Sequence, residues 1–201
     1  MDNVLKYKIT RARRNTIQIT IKDCNIYIRA PYKCPSSEIE KFINKKMTWI
    51  TSCLEKQNVV ADKLKHVECN NILLFYGNEK RYDISLDEKE VKIFYLEQFN
   101  FIREKVSAIS NITGLKFSNL MYSDAETLWG SCDNRNNIRL NLRLSALPIY
   151  LIDYVIVHEL SHTRFHDHSK KFWQTVESII PDYKSKREEL KAYYWLLKIY
   201  R

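Results

Sequence analysis

His158-Glu159-Leu160-Ser161-His162, with His168 six residues further on, is the segment on which the reading of this chain turns. Residues four apart on a helix lie one above the other, so His158 and His162 can present imidazole nitrogens to one ion, half of a tetrahedral site. Glu159 projects beside that pair, where its carboxylate can take a proton from an attacking water. A third protein ligand would leave the fourth position open for that water. Leu151, Ile152, Tyr154, Val155, Ile156 and Val157 run into the motif, so the helix is expected to be buried nearly all round. Two histidines and a glutamate are costly in such surroundings unless coordinated or hydrogen-bonded, which favours a metal site over a chance pairing on a surface helix.

The third ligand is expected from Thr163-Arg164-Phe165-His166-Asp167-His168-Ser169. After Arg164 the chain can leave the helix, turn and bring His168 back over the metal, whereas His166 and Asp167 are weaker candidates. The three-histidine spacing also matches the metzincin pattern. That pattern needs a glycine where Phe165 stands and a methionine turn downstream, and neither is evident.

Further motifs follow one another in a fixed order: Trp129-Gly130-Ser131-Cys132, Asn137-Ile138-Arg139-Leu140-Asn141, the helix Asp153 to His162, His168-Ser169-Lys170-Lys171-Phe172-Trp173, and Pro181-Asp182-Tyr183. In this combination the chain resembles the YgjP-like metal-dependent hydrolases, a gluzincin-like metallopeptidase domain related to the WLM and SprT groups. Ala30-Pro31 and the segment around Trp49-Ile50 extend the likeness towards the N-terminus. The resemblance implies that His158, His162 and His168 hold zinc and that Glu159 is the general base. Relatives commonly carry basic residues ahead of Trp-Gly-Ser-Cys, where this chain has Ser123, Glu126 and Leu128, so substrate contacts made there in relatives do not carry over.

Composition bounds the setting. At 201 residues the chain can bury a sizeable core. Met1-Asp2-Asn3-Val4-Leu5-Lys6 is not a signal peptide and no stretch is long enough to span a bilayer, so a cytoplasmic protein without membrane contact is expected. Cys24, Cys34, Cys53, Cys69 and Cys132 are odd in number and lack a Cys-x-x-Cys pair, which excludes a zinc ribbon and a disulfide framework and points to a reducing compartment. Cys132 reads as a small packed side chain rather than a nucleophile. A net charge of +9 attracts anions without choosing among them. Lys6, Lys8, Arg11, Arg13 and Arg14 read as a solvated hairpin face, with nucleic-acid contact the weaker alternative, and Lys184, Lys186, Arg187 and Lys191 read as solvated too.

The remaining pattern predicts an α+β chain with an N-terminal β-rich lobe, residues 1–95, and a catalytic domain, residues 96–201, which the resemblance implies is zincin-like. Thr16–Ile21 and Asn25–Ala30 alternate with period two about a turn at Asp23-Cys24. Ile39, Phe42, Ile43, Met47 and Ile50 form a helical stripe after Pro35. Ile72–Tyr76 and Lys80–Ile84 form a second hairpin with Gly77-Asn78 as its turn, and 97–112 is a helix closed by Gly114. Residues 120–132 and 138–144 read as antiparallel strands, the second a candidate edge that could pair with an extended peptide or an ordinary interior strand. Pro148 opens the metal helix, His168 or Ser169 starts the next, and Asp182 caps the last. Phe172, Trp173 and Trp129 are read as packing residues. Asn141, Arg143 and Tyr154 are the substrate-binding candidates, with Arg139, Arg143 and Tyr154 considered for the oxyanion and Tyr154 also for orienting a ligand. The expected activity is zinc-dependent hydrolysis of a peptide or protein. Nucleotide phosphohydrolysis and DNA binding around a structural metal are the alternatives.

Overall fold

Strands β1 (Tyr7–Ala12), β2 (Gln18–Lys22) and β3 (Asn25–Pro31) form a sheet in the order β1-β3-β2. The computed structural model describes residues 6–22, 24–83 and 85–200. The expected hairpin is β2–β3, with Ile19 opposite Ile28 and Ile21 opposite Ile26; Asp23 of its turn lies outside the described residues. β1, which carries much of the basic cluster, is not part of a hairpin but pairs parallel with β3. The Arg11 guanidinium donates to the carbonyls of Pro31 at 3.1 Å and Tyr32 at 3.3 Å, so it is committed locally. Helices α1 (Ser36–Lys45) and α2 (Met47–Cys69) realise the apolar stripe as two segments broken at Lys46. Ile26, Ile28, Ala30, Ile39, Ile43 and Ile50 bury one another as the core of the first unit, residues 1–63.

The second unit, residues 64–201, contains the metal helix. The expected boundary at 95/96 therefore shifts: Val67, Ile72, Leu73, Leu74, Val91 and Tyr95 are buried in the core of this unit, and apolar burial rather than sequence position assigns them. β4 (Ile72–Phe75) and β5 (Asn78–Arg81) form a hairpin whose turn is Tyr76-Gly77, one residue before the expected pair. Both turn residues are left-handed, φ 49° and 82°, which suits a two-residue turn between twisted strands. Ile84, the expected end of that strand, lies outside the described residues.

The helix expected from 97 to 112 is α4 (Phe99–Thr113), and a helix that was not expected, α3 (Glu88–Glu97), precedes it. A reciprocal capping box starts α3, with Glu90 N donating to Asp87 at 2.8 Å and Asp87 N donating to Glu90 at 2.9 Å. Gly114, at φ 72°, closes α4 as expected.

The strands β6 (Asn119–Ser123), β7 (Gly130–Cys132) and β8 (Asn137–Asn141) lie in the order β6-β8-β7. One expectation is corrected here and one open alternative is decided. Residues 120–132 are not one strand antiparallel to its successor: β6 runs parallel to β8 and only β7 is antiparallel to it. The segment 138–144 is not an edge, because β8 is the central strand and β7 is an outer one. β8 also ends early. The Asn141 carboxamide oxygen accepts from Arg143 N at 3.0 Å and turns 142–146 into a short 3-10 helix. Asn141 Nδ2 donates to Ala125 O at 2.7 Å and Leu128 O at 3.0 Å, pinning the loop between β6 and β7.

α5 (Ile149–His162) carries the motif and is followed by α6 (Lys170–Ile179), α7 (Tyr183–Leu190) and a 3-10 segment, Lys191–Lys198. Its start is held by the β4–β5 turn, where Tyr76 N and Gly77 N donate to Ser145 O and Ala146 O at 2.8 and 3.2 Å. A Cβ on Gly77 would come within 2.9 Å of Pro148 Cγ, so glycine is required there for contact as well as for conformation. Leu151, Ile152, Val155, Ile156, Val157 and Leu160 are buried, as the apolar run predicts. Asp182 stands at the N-cap of α7, but its side chain pairs with Lys186 and makes no capping bond. Among the described residues no helix is long and apolar enough to cross a membrane.

Candidate metal centre

α5 ends at His162, where Thr163 Oγ1 donates to Leu160 O at 2.7 Å and the chain turns out of the helix. Asp167 accepts from Ser169 N at 3.3 Å, and α6 follows. This turn carries His168 back towards the helix, so that the rings of His158, His162 and His168 lie 4.7 to 5.1 Å apart, centre to centre. One nitrogen from each falls within 4.8 Å of the others. His166 and Asp167 are not in that group.

The donor set suits a borderline metal such as zinc. His162 Nδ1 lies 3.0 Å from Phe165 O and donates to it in the neutral tautomer that leaves Nε2 with its lone pair. The Nε2 atoms of His158 and His168 face each other at 3.1 Å. Burial, then the neighbouring His162 and His168, then Arg187, push the His158 imidazole down to about 3, so it is neutral at physiological pH. Burial lowers His162 as well. A neutral imidazole is a ligand in the form that a metal requires, and His158 is held in that form where the three nitrogens converge. Phe172 is fully buried and stacks on His162 with centroids 4.4 Å apart, while Trp173 stacks on His168 at 5.5 Å. These two aromatics therefore do pack α6, as expected, and they do so against the histidines themselves.

Glu159 is 6% exposed, and burial pushes its carboxyl up to about 8. It lies against β7. A Cβ on Gly130 would stand 2.6 Å from Glu159 Cγ and 2.9 Å from Oε1. The glycine of Trp-Gly-Ser-Cys thus makes room for the carboxylate, a function that the sequence reading did not assign. Trp129 N-terminal to it is buried, as expected of a packing residue, yet it also borders the cavity.

A cavity of about 790 Å³ opens in front of these groups. One wall is β7. Trp129 O accepts from Asn141 N at 2.9 Å and Asp133 N donates to Asn137 O at 3.1 Å. By the alternation of an antiparallel ladder, the peptide groups of Gly130 and Cys132 therefore face away from β8, along the free edge. The Cys132 thiol is pushed up to about 11 by burial and by Glu159, which makes it a poor nucleophile. Trp173, Arg187, Lys191 and Tyr194 also line the cavity, the two cations being residues that the sequence reads as solvated surface.

Of the substrate-binding candidates only Tyr154 borders the cavity, 6.0 Å from His158 between ring centres. Burial pushes its hydroxyl up to about 12, with Arg187 opposing. Asn141 and Arg143 are corrected to structural residues. Asn141 spends its amide on the β6–β7 loop, and Arg143, 2% exposed, pairs with Asp124 and donates to Ile199 O at 3.2 Å. Arg139 is exposed on β8 away from the cavity. Strand alternation in the sequence shows which side chains share a face, but not that the β6–β7 loop takes up Asn141 or that Arg143, past the end of the strand, meets the C-terminal segment.

No curated protein matches the chain. Among solved structures, it is similar to the metallopeptidase zymogen of Pyrococcus abyssi abylysin, with 18% identity and a TM-score of 0.42, over 45% of this chain and 92% of that one. The model of the YgjP-like metallopeptidase domain matches residues 15–99 and 87–193. With that match spanning most of its length, the chain belongs to the YgjP-like metallopeptidase-domain family.

Proposed function

We propose that the protein is a zinc-dependent peptidase in which His158, His162 and His168 hold the ion and Glu159 is the general base. The observation that carries this reading is the convergence of three imidazole nitrogens beside a buried carboxylate at the wall of one cavity. When bound, zinc supplies a Lewis acid for the scissile carbonyl and makes water acidic enough to release a proton near neutral pH. Glu159 takes that proton as the water attacks and returns it to the leaving amine nitrogen. Gly130 lets the carboxylate approach the strand without displacement, and α5, buried on nearly all sides, holds it in place. An extended peptide lies along the free edge of β7, hydrogen-bonded to the main chain of Gly130 and Cys132, which brings its carbonyl in front of the histidines. Tyr154 is the candidate for steadying the developing oxyanion. With all five cysteines free, the protein is assigned to a reducing, cytoplasmic setting.

The test is a side-by-side assay of zinc-loaded protein on unfolded protein, on peptide pools and on nucleoside triphosphates. Peptide-bond cleavage that disappears with chelator and returns with zinc is expected. Hydrolysis of triphosphates with intact peptides would replace this reading with the phosphohydrolase one.

A further inference from the structure

We propose that the α7 wall of the cavity is a specificity subsite for an acidic side chain of the substrate, with Arg187 as the group that pairs with it. This rests on the peptidase reading above. The Arg187 guanidinium lies over the Trp173 ring, 5.1 Å from its centroid, and Trp173 is itself stacked on His168. A cation is thereby held one aromatic ring away from the ligand group. A guanidinium held over an aromatic ring by cation–π attraction can still offer its N–H fork for bidentate pairing with a carboxylate.

The neighbouring cations are already engaged. Lys191 pairs with Glu188 and Lys186 with Asp182. Among the described residues no carboxylate lies within ion-pair distance of Arg187. The carboxylate that borders the cavity is Glu159, which the mechanism uses as a base. An acidic side chain leaving a peptide on β7 therefore meets the Arg187 cation beside Trp129, Trp173 and Tyr194, with Lys191 on the same cavity wall.

The experiment measures equilibrium binding of fluorescent peptide pools to zinc-loaded Glu159→Gln protein. The pools are identical except for Glu, Gln or Lys placed at each position in turn, and adenosine triphosphate is offered as a competitor. At one position Glu is expected to bind about fivefold or more tightly than Gln, and Lys more weakly than either. In Arg187→Glu the order inverts. In Lys65→Glu, an equal change of net charge at an exposed residue outside the cavity lining, it persists. Zinc content and thermal unfolding verify that each variant is folded. Equal binding of the pools, no binding of any pool, or an unchanged order in Arg187→Glu overturns the proposal. So does adenosine triphosphate binding more tightly than every Glu pool. Glu-selective binding that responds to Arg187 in a wild-type protein that cleaves none of these peptides would sustain the subsite and remove the peptidase reading.

Discussion

Glu159 and Gly130 have to be considered together, because the carboxylate fills the volume that a Cβ at position 130 would need. Two substitutions separate their contributions. Glu159→Gln keeps shape and hydrogen bonding but cannot accept the proton, so zinc content should match wild type while turnover falls by about a hundredfold or more. Gly130→Ala leaves the base in place chemically and displaces it sterically. Zinc should again be retained, and turnover should drop by about a hundredfold, the cost of shifting a catalytic group by about 1 Å. Zinc analysis and kcat on a peptide that the wild type cleaves check both; a Gly130→Ala enzyme at full speed would show that the strand yields and that the close fit has no catalytic consequence. The role of Glu159 could be read from the motif alone. That of Gly130 could not, since its partner lies 29 positions away in sequence and nothing local marks the approach.

At the scale of elements, the turn between α5 and α6 decides which side chain returns to the first two histidines. It places His168 within ligand distance of His158 and leaves His166 and Asp167 out of the group. His168→Ala should therefore lose bound zinc, with His166→Ala and Asp167→Ala retaining it; equal zinc in all three proteins would move the third ligand elsewhere in the chain. The 3-10 turn after β8 makes a second, independent prediction. Arg143 is buried, pairs with the half-buried Asp124 and donates to Ile199 O of the C-terminal segment. Arg143→Met should destabilise the protein by about 3 kcal/mol, measured by denaturant unfolding, without a change in zinc stoichiometry. Loss of zinc at unchanged stability would restore Arg143 as a site residue.

For the whole molecule, the metal-free centre makes stability depend on pH in a defined way. Glu159, raised from 4.5 to about 8, contributes stability that is complete below 4.5 and lost as pH rises through 8. His158, lowered from 6.5 to about 3, contributes stability that is complete above 6.5 and lost as pH falls through 3. Between 4.5 and 6.5 the Glu159 slope is opposed by that of His158, to which the burial-lowered His162 adds, so the chelated protein should be most stable near 6.5 and decline on both sides. Glu159→Gln should abolish the decline between 6.5 and 8. A midpoint that rises over that interval in chelated wild type would contradict the burial assigned to this carboxyl.

The sequence by itself determined the features whose physics is local. The i, i+4 histidines, the buried character of α5, the period-two β2–β3 hairpin and the glycine closing α4 each follow from residues within a few positions of one another. The capping box of α3 was equally local and visible in Asp87 and Glu90, although one helix had been expected only from 97 onward. Tertiary structure alone decided what depends on distant partners. Strand order made β8 central and β7 an edge, because parallel pairing of β6 with β8 uses groups that no alternation pattern specifies. Burial assigned 64–95 to the unit that carries the motif and turned Asn141 and Arg143 inward, where hydrogen bonds to loop and terminal carbonyls use their polar atoms. The C-terminal helix, polar in sequence and read as a solvated face, supplies a cavity wall because Trp173 holds Arg187 over its ring. Charge and polarity along a chain specify which groups can reach solvent or a ligand, and only packing determines which of the two they meet.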